Sequence, residues 1–103
     1  MKKWMNALII WIPFEEGGRR NPIGYEAKYC PIIRFPGIKT EGVWSAEIFV
    51  QQTNGNESAV NISYLVLEAP FELLVTGARF ELFEGSKKVA TGIILDQIAR
   101  DVE

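Results

Sequence analysis

Apolar and polar side chains alternate with a period of two through most of this chain, a spacing that dictates strands with one wet face. In Val43 to Gln51, Trp44, Ala46, Ile48 and Val50 point one way, while Ser45, Glu47 and Gln51 point the other. Val60, Ile62, Tyr64 and Val66 alternate with Asn61 and Ser63, and Ala78, Phe80 and Leu82 alternate with Arg79 and Glu81. Val89, Thr91, Ile93 and Leu95 continue the series after Lys88. Trp4 to Ile12 is different, being apolar on both sides apart from Asn6. It reads as a strand covered on both faces, or as a short buried helix (Trp4, Leu8 and Trp11 fit that spacing) that Pro13 stops. A sixth strand, about Tyr29 to Phe35, carries Pro31, whose missing N–H predicts a sheet edge or a bulge.

The punctuation agrees. Gly17-Gly18, Asn21-Pro22, Pro36-Gly37, Asn54-Gly55 and Glu84-Gly85-Ser86 fall between the strands, where turn chemistry is required. Glu84 to Lys87 is short enough for a tight hairpin joining the last two strands. Only the tail, about 96–103, has helical character, with Asp96 as an N-cap and Ile98 and Val102 four apart. Six strands in a chain of 103 residues predict a closed or nearly closed all-β barrel, or a sandwich. With no internal repeat, linker or low-complexity segment, residues 1–103 read as a single β-barrel domain with that short tail.

Composition removes whole classes of mechanism. The chain has no histidine, which excludes a Ser-His-Asp triad, a Cys-His pair and any His-ligated zinc. One cysteine, Cys30, leaves no intrachain disulfide and no thiolate cluster. Cys30 lacks the usual base for a nucleophile, and in an apolar strand it is expected to be a buried small hydrophobe. The adjacent carboxylates Glu15 and Glu16 point apart in an extended segment and share no site. No cofactor, metal or catalytic residue is therefore expected, and the chain reads as non-enzymatic. A net charge of -2 argues against tight non-specific binding to nucleic acid, DNA included. The charge is uneven, however: Arg19, Arg20, Lys28, Arg34 and Lys39 face a single acid, Glu26, within 19–39. That stretch is either a solvated face or an anion-facing loop and strand. The apolar run Ala7 to Phe14 falls far short of the roughly 20 residues of a membrane span. Lys2 and Lys3 mimic the start of a secretory signal, but Pro13, Phe14 and two glutamates follow where a cleavage site belongs, so a cytoplasmic protein is expected.

Two motifs carry a resemblance. Glu15-Glu16-Gly17-Gly18-Arg19-Arg20-Asn21-Pro22 followed by Gly24-Tyr25 resembles the segment after the first strand in the C-terminal barrel of elongation factor Tu. Ala69-Pro70-Phe71, then Gly77-Ala78-Arg79-Phe80, is similar to that family's His-Pro-Ile and Gly-Leu-Arg-Phe segments. Glu84-Gly85-Ser86-Lys87-Lys88-Val89-Ala90-Thr91-Gly92 is similar to its final hairpin. The resemblance runs over about 5–96 and implies a six-stranded antiparallel Greek-key barrel without catalytic activity. In the family this barrel packs on a guanine-nucleotide domain and touches the T stem of aminoacyl-tRNA. Carried over by motif, the RNA- or partner-binding residues are Gly17, Gly18, Arg19, Arg20 and Lys28. The guanidinium fork suits phosphate, and the glycines permit close approach and positive φ. Tyr25, beside Gly24, is the aromatic best placed for exposure, whereas Trp4, Trp11, Trp44, Tyr29 and Tyr64 sit at core-filling positions.

The chain also departs from the family. Its loop between Arg19 and Gly24 is shorter, Arg20 replaces a histidine, Lys87 replaces an arginine, and Asp96 stands where a basic or neutral residue is usual. No Gly-x-x-x-x-Gly-Lys-Ser/Thr phosphate loop exists anywhere in it. The expectation is a stand-alone binding barrel whose partner is a protein, a translation factor or its regulator. Binding to tRNA or another structured RNA through the Gly-Gly-Arg-Arg loop is the alternative. The acidic balance ranks the protein partner first.

Overall fold

A computed structural model describes residues 2–21, 23–25 and 27–98. Seven strands form one antiparallel sheet: β1 (Met5–Trp11), β2 (Lys28–Tyr29), β3 (Ile32–Arg34), β4 (Trp44–Asn54), β5 (Glu57–Tyr64), β6 (Arg79–Glu84) and β7 (Lys87–Gln97). Pairings β1–β5, β5–β4, β4–β3, β3–β6, β6–β7 and β7–β1 return to their starting point, so six strands close a barrel. β3, β4 and β5 are consecutive neighbours and β6 returns by the long connection 65–78 to lie beside β3, which is the Greek-key connection. Closure leaves no long free edge for a second chain to extend.

β2 is the additional strand, and Pro31 explains it. Lys28 pairs with Phe49 and Tyr29 with Ile48; after the break, Ile32 pairs with Ser45 and Ile33 with Trp44. The register is unbroken, so β2 and β3 follow the same side of β4, interrupted where Pro31 has no N–H to give. The Pro31 carbonyl still accepts from Ala46 N at 2.8 Å. Pro31 thus interrupts the strand beside β4, and β2 before it pairs with β4 alone, the sheet edge expected there.

The interior is filled by alternate residues of every long strand: Met5, Ala7 and Ile9; Ala46, Ile48 and Val50; Val60, Ile62 and Tyr64; Phe80 and Leu82. β1 is covered on its inner face only. Its outer face, expected to be covered too, leaves Ile10 47% exposed. Val66, assigned to a strand by its alternation, lies beyond the end of β5 and is exposed. β7 corrects the expected alternation. Its pairing with β6 skips Val89, and its pairing with β1 skips Leu95. A bulge adds one residue and swaps the faces beyond it, so Ala90, Gly92 and Ile94 face inward while Thr91 and Ile93 face outward. Gly92 is required there: a Cβ would stand 2.3 Å from the Phe80 ring and 2.9 Å from the Leu8 carbonyl oxygen. Asp96 and Gln97 belong to β7, so Asp96 is no N-cap; it accepts from Asn6 Nδ2 at 2.7 Å. The rest of the expected tail helix, 99–103, lies outside the described residues. Among the described residues no helix is long and apolar enough to cross a membrane.

Candidate functional site

The Gly-Gly-Arg-Arg loop closes one mouth of the barrel. β1 leaves the wall at Trp11, and Phe14–Glu16 make one 3₁₀ turn. Gly17 ends it at φ +102°, donating to the Phe14 carbonyl at 2.9 Å, a conformation that favours glycine. Gly18 then folds back on its own strand. Its N–H donates to the Pro13 carbonyl at 3.0 Å, and a Cβ there would stand 1.7 Å from the Ile12 carbonyl oxygen. The close approach that Gly18 permits is therefore internal.

Arg19 is also held from within. Its Nη1 pairs with the Glu84 carboxylate at the end of β6, and its Nε donates to the Asn21 carbonyl at 2.9 Å. The guanidinium lies 5.2 Å from the Tyr29 ring centroid. Tyr29 Oη donates to the same Glu84 oxygen at 2.5 Å, and Trp11 packs against the Tyr29 ring with centroids 5.9 Å apart. Burial alone would raise the Glu84 pKa. The hydrogen bonds from Tyr29 and Arg19 and the charges of Arg19 and Lys87 outweigh it, leaving Glu84 below its ordinary value. For Arg19, burial acts downward, but the Glu84 bond and charge win and its pKa rises. Burial, then the bond to Glu84 and its charge, push the Tyr29 phenol up. Arg19, Tyr29 and Glu84 form a latch between the loop and the β6–β7 hairpin.

The other expected residues divide. Arg20 is exposed, stacks on Phe14 at 4.5 Å and takes part in no ion pair among the described residues. Tyr25 is 64% exposed, as expected. Lys28 stands 3.6 Å from Glu47, which Lys2 also grips. A cleft of about 340 Å³ opens between the loop and the β4–β5 hairpin, walled by Trp11, Phe14, Ile23, Thr53 and Asn56. Arg19 and Arg20 line it, but Tyr25 and Lys28 do not. Trp11 Nε1 donates to Ser58 Oγ at 2.8 Å, and Ser58 Oγ lies 2.8 Å from Thr53 Oγ1, so this wall is fixed by hydrogen bonds.

Sequence reasoning passed over Glu84, Tyr29 and Trp11 as site residues. Nothing local marks them, because β1, β2 and β6 meet only on closure. Cys30 reverses its expectation: it is exposed, placed outward by the alternation that sends Tyr29 and Pro31 inward. Among the described residues no group of three or more Cys, Asp or Glu side chains is arranged to hold a metal ion. No family model matches the chain, and no curated protein matches its sequence.

Proposed function

We propose that this chain is a non-catalytic, cytoplasmic protein-interaction module, resembling the C-terminal barrel of elongation factor Tu and acting beside the translation machinery. The observation that carries it is the internal commitment of the cations at the loop mouth. Arg19 is neutralised by Glu84 and Lys28 shares Glu47, so two of three motif-derived cations have carboxylate partners of their own. A phosphate backbone would have to displace those carboxylates, whereas a protein surface can dock on the aromatic cleft with both ion pairs intact. The positions of the motifs support the resemblance: the Gly-Gly-Arg-Arg loop follows the first strand, and Gly85-Ser86 turns the last hairpin.

RNA binding keeps one specific support, Arg20, which is exposed and free of an ion pair among the described residues. The deciding experiment is affinity capture from source lysate with and without ribonuclease. A protein that persists after nuclease at moderate salt is the expected result. Captured tRNA, or a protein lost on nuclease treatment, would move the function to RNA, and Arg20→Ala should then weaken binding in a salt-dependent way.

A further inference from the structure

The outer wall of β1 is apolar and uncovered. Leu8 and Ile10 point outward there, Ile10 being 47% exposed, whereas the outward positions of β6 carry Arg79 and Glu81. An antiparallel strand with one wet face keeps polar residues on that face, so β1 breaks the pattern. The registers set these residues in two rows across β1, β7 and β6. Ile10 pairs with Thr91 and Thr91 with Glu81; Leu8 pairs with Ile93 and Ile93 with Arg79. The wall is dished across the three strands, and both rows line one hollow of about 330 Å³. None of its lining residues belongs to the cleft at the loop mouth. Its two charged members are of opposite sign. Arg79 is exposed and has no ion pair among the described residues. Glu81 meets Lys88 through Oε2 at 3.1 Å, which leaves its other oxygen for a second cation.

We propose that this wall is the contact between two copies of the chain. A two-fold axis lying in the face, and crossing the strands midway between the rows, sets each row against the other row of the second copy. Ile10 then meets Leu8, Thr91 meets Ile93 and Arg79 meets Glu81, each contact being made twice. Each strand lies across its own counterpart at the small angle usual for packed sheets, and Ile10 enters the hollow of the other copy. The charges select this axis. A two-fold axis along β7 would lay Leu8 on Arg79 and Ile10 on Glu81, burying both charges against aliphatic side chains. The charges also select the occupant. One cation and one anion, on either side of the axis, are matched by a second copy of the same face. A phosphate backbone is repelled by Glu81, and an uncharged apolar partner leaves both charges unpaired. With the barrel closed, copies associate through faces rather than by extending the sheet. Three strands make a small face, so the dimer belongs to the weak class of interfaces. It leaves the loop-mouth cleft free and stands or falls separately from the protein-binding reading.

The test is sedimentation equilibrium on the full chain from about 10 μM to about 1 mM, the range suited to a small interface. Wild type should pass from monomer toward dimer across it. Arg79→Glu sets two acids against each other at both cross-contacts, and Glu81→Arg sets two bases, so each variant alone should associate about tenfold more weakly. Mixed in equal amounts, the two variants should dimerise as wild type does, because both cross-contacts then join opposite charges. Ile10→Ser, at a side chain already half exposed, should weaken the dimer while the amide spectrum of the monomer stays in place. If a reversed charge disturbs the fold, Arg79→Ala and Glu81→Gln replace it: each should weaken the dimer equally, and the double variant no further. A wild-type chain that stays monomeric at the top of the range would overturn the proposal. So would a dimer indifferent to Ile10→Ser or to both neutral substitutions, or folded reversed-charge variants whose mixture stays monomeric.

Discussion

The latch at the loop mouth makes a quantitative prediction that separates structure from recognition at Arg19. Arg19→Ala, Glu84→Gln and the double variant form a thermodynamic cycle whose coupling energy reports the pair alone. The side chains are 26% and 32% exposed, so solvent screens the attraction and a buried-pair magnitude does not apply. The pair is nevertheless charge-assisted, and Glu84 accepts from Tyr29 Oη at 2.5 Å on the same oxygen. That places the coupling at the top of the range for exposed pairs, about 1 kcal/mol. In a domain near this size, each single variant should lower Tm by about 4–8 °C per kcal/mol lost. Urea denaturation of the four proteins gives the cycle, and equal m-values would show that the barrel's compactness is unchanged. A coupling below about 0.3 kcal/mol would refute the latch, because it lies within the error of independent sites. If Arg19→Ala then left stability intact but abolished RNA binding, Arg19 would have to be a recognition residue.

Three further outcomes follow from the same geometry. Glu84 is depressed in the folded state, so its contribution is full above the ordinary glutamate pKa of about 4.3 and is lost as pH falls through the lower folded value; stability measured down an acid series should fall less steeply in Glu84→Gln. Gly92→Ala drives a methyl into the Phe80 ring and the Leu8 carbonyl, and should cost about 1–3 kcal/mol by chemical denaturation. Cys30 is exposed, so one thiol per chain should react with a disulfide reagent in the native protein without denaturant.

The fold was legible where period two ran along an unbulged strand, although alternation carried β5 past its end at Tyr64 to Val66. Val43 to Gln51 alternated, and Ala46, Ile48 and Val50 are indeed the inner face. The reading failed where one residue was added to a strand. Bulges at Val89 and Leu95 exchange the faces of β7, and a bulge depends on which strand lies alongside, information absent from the strand's own residues. Cys30 was missed for a related reason. Its type favours burial in general, but its place between inward Tyr29 and Pro31 turns it outward. The loop mouth was half legible. Gly17-Gly18-Arg19-Arg20 stood out as a motif, yet Glu84, 65 positions beyond Arg19, carried no mark of the pairing that holds it.

The sequence by itself determined that this chain is all-β and where its turns fall. It also excluded histidine-based chemistry and any intrachain disulfide. These are consequences of side-chain identity and of spacing along one strand, which act over a few residues. Only the tertiary structure decided which carboxylate Arg19 meets, which face of β7 is inside, and that Trp44 Nε1 is buried without an acceptor among the described residues. Those outcomes depend on groups brought together by barrel closure, and pairing energies between distant segments leave no local signature in the strands that make them.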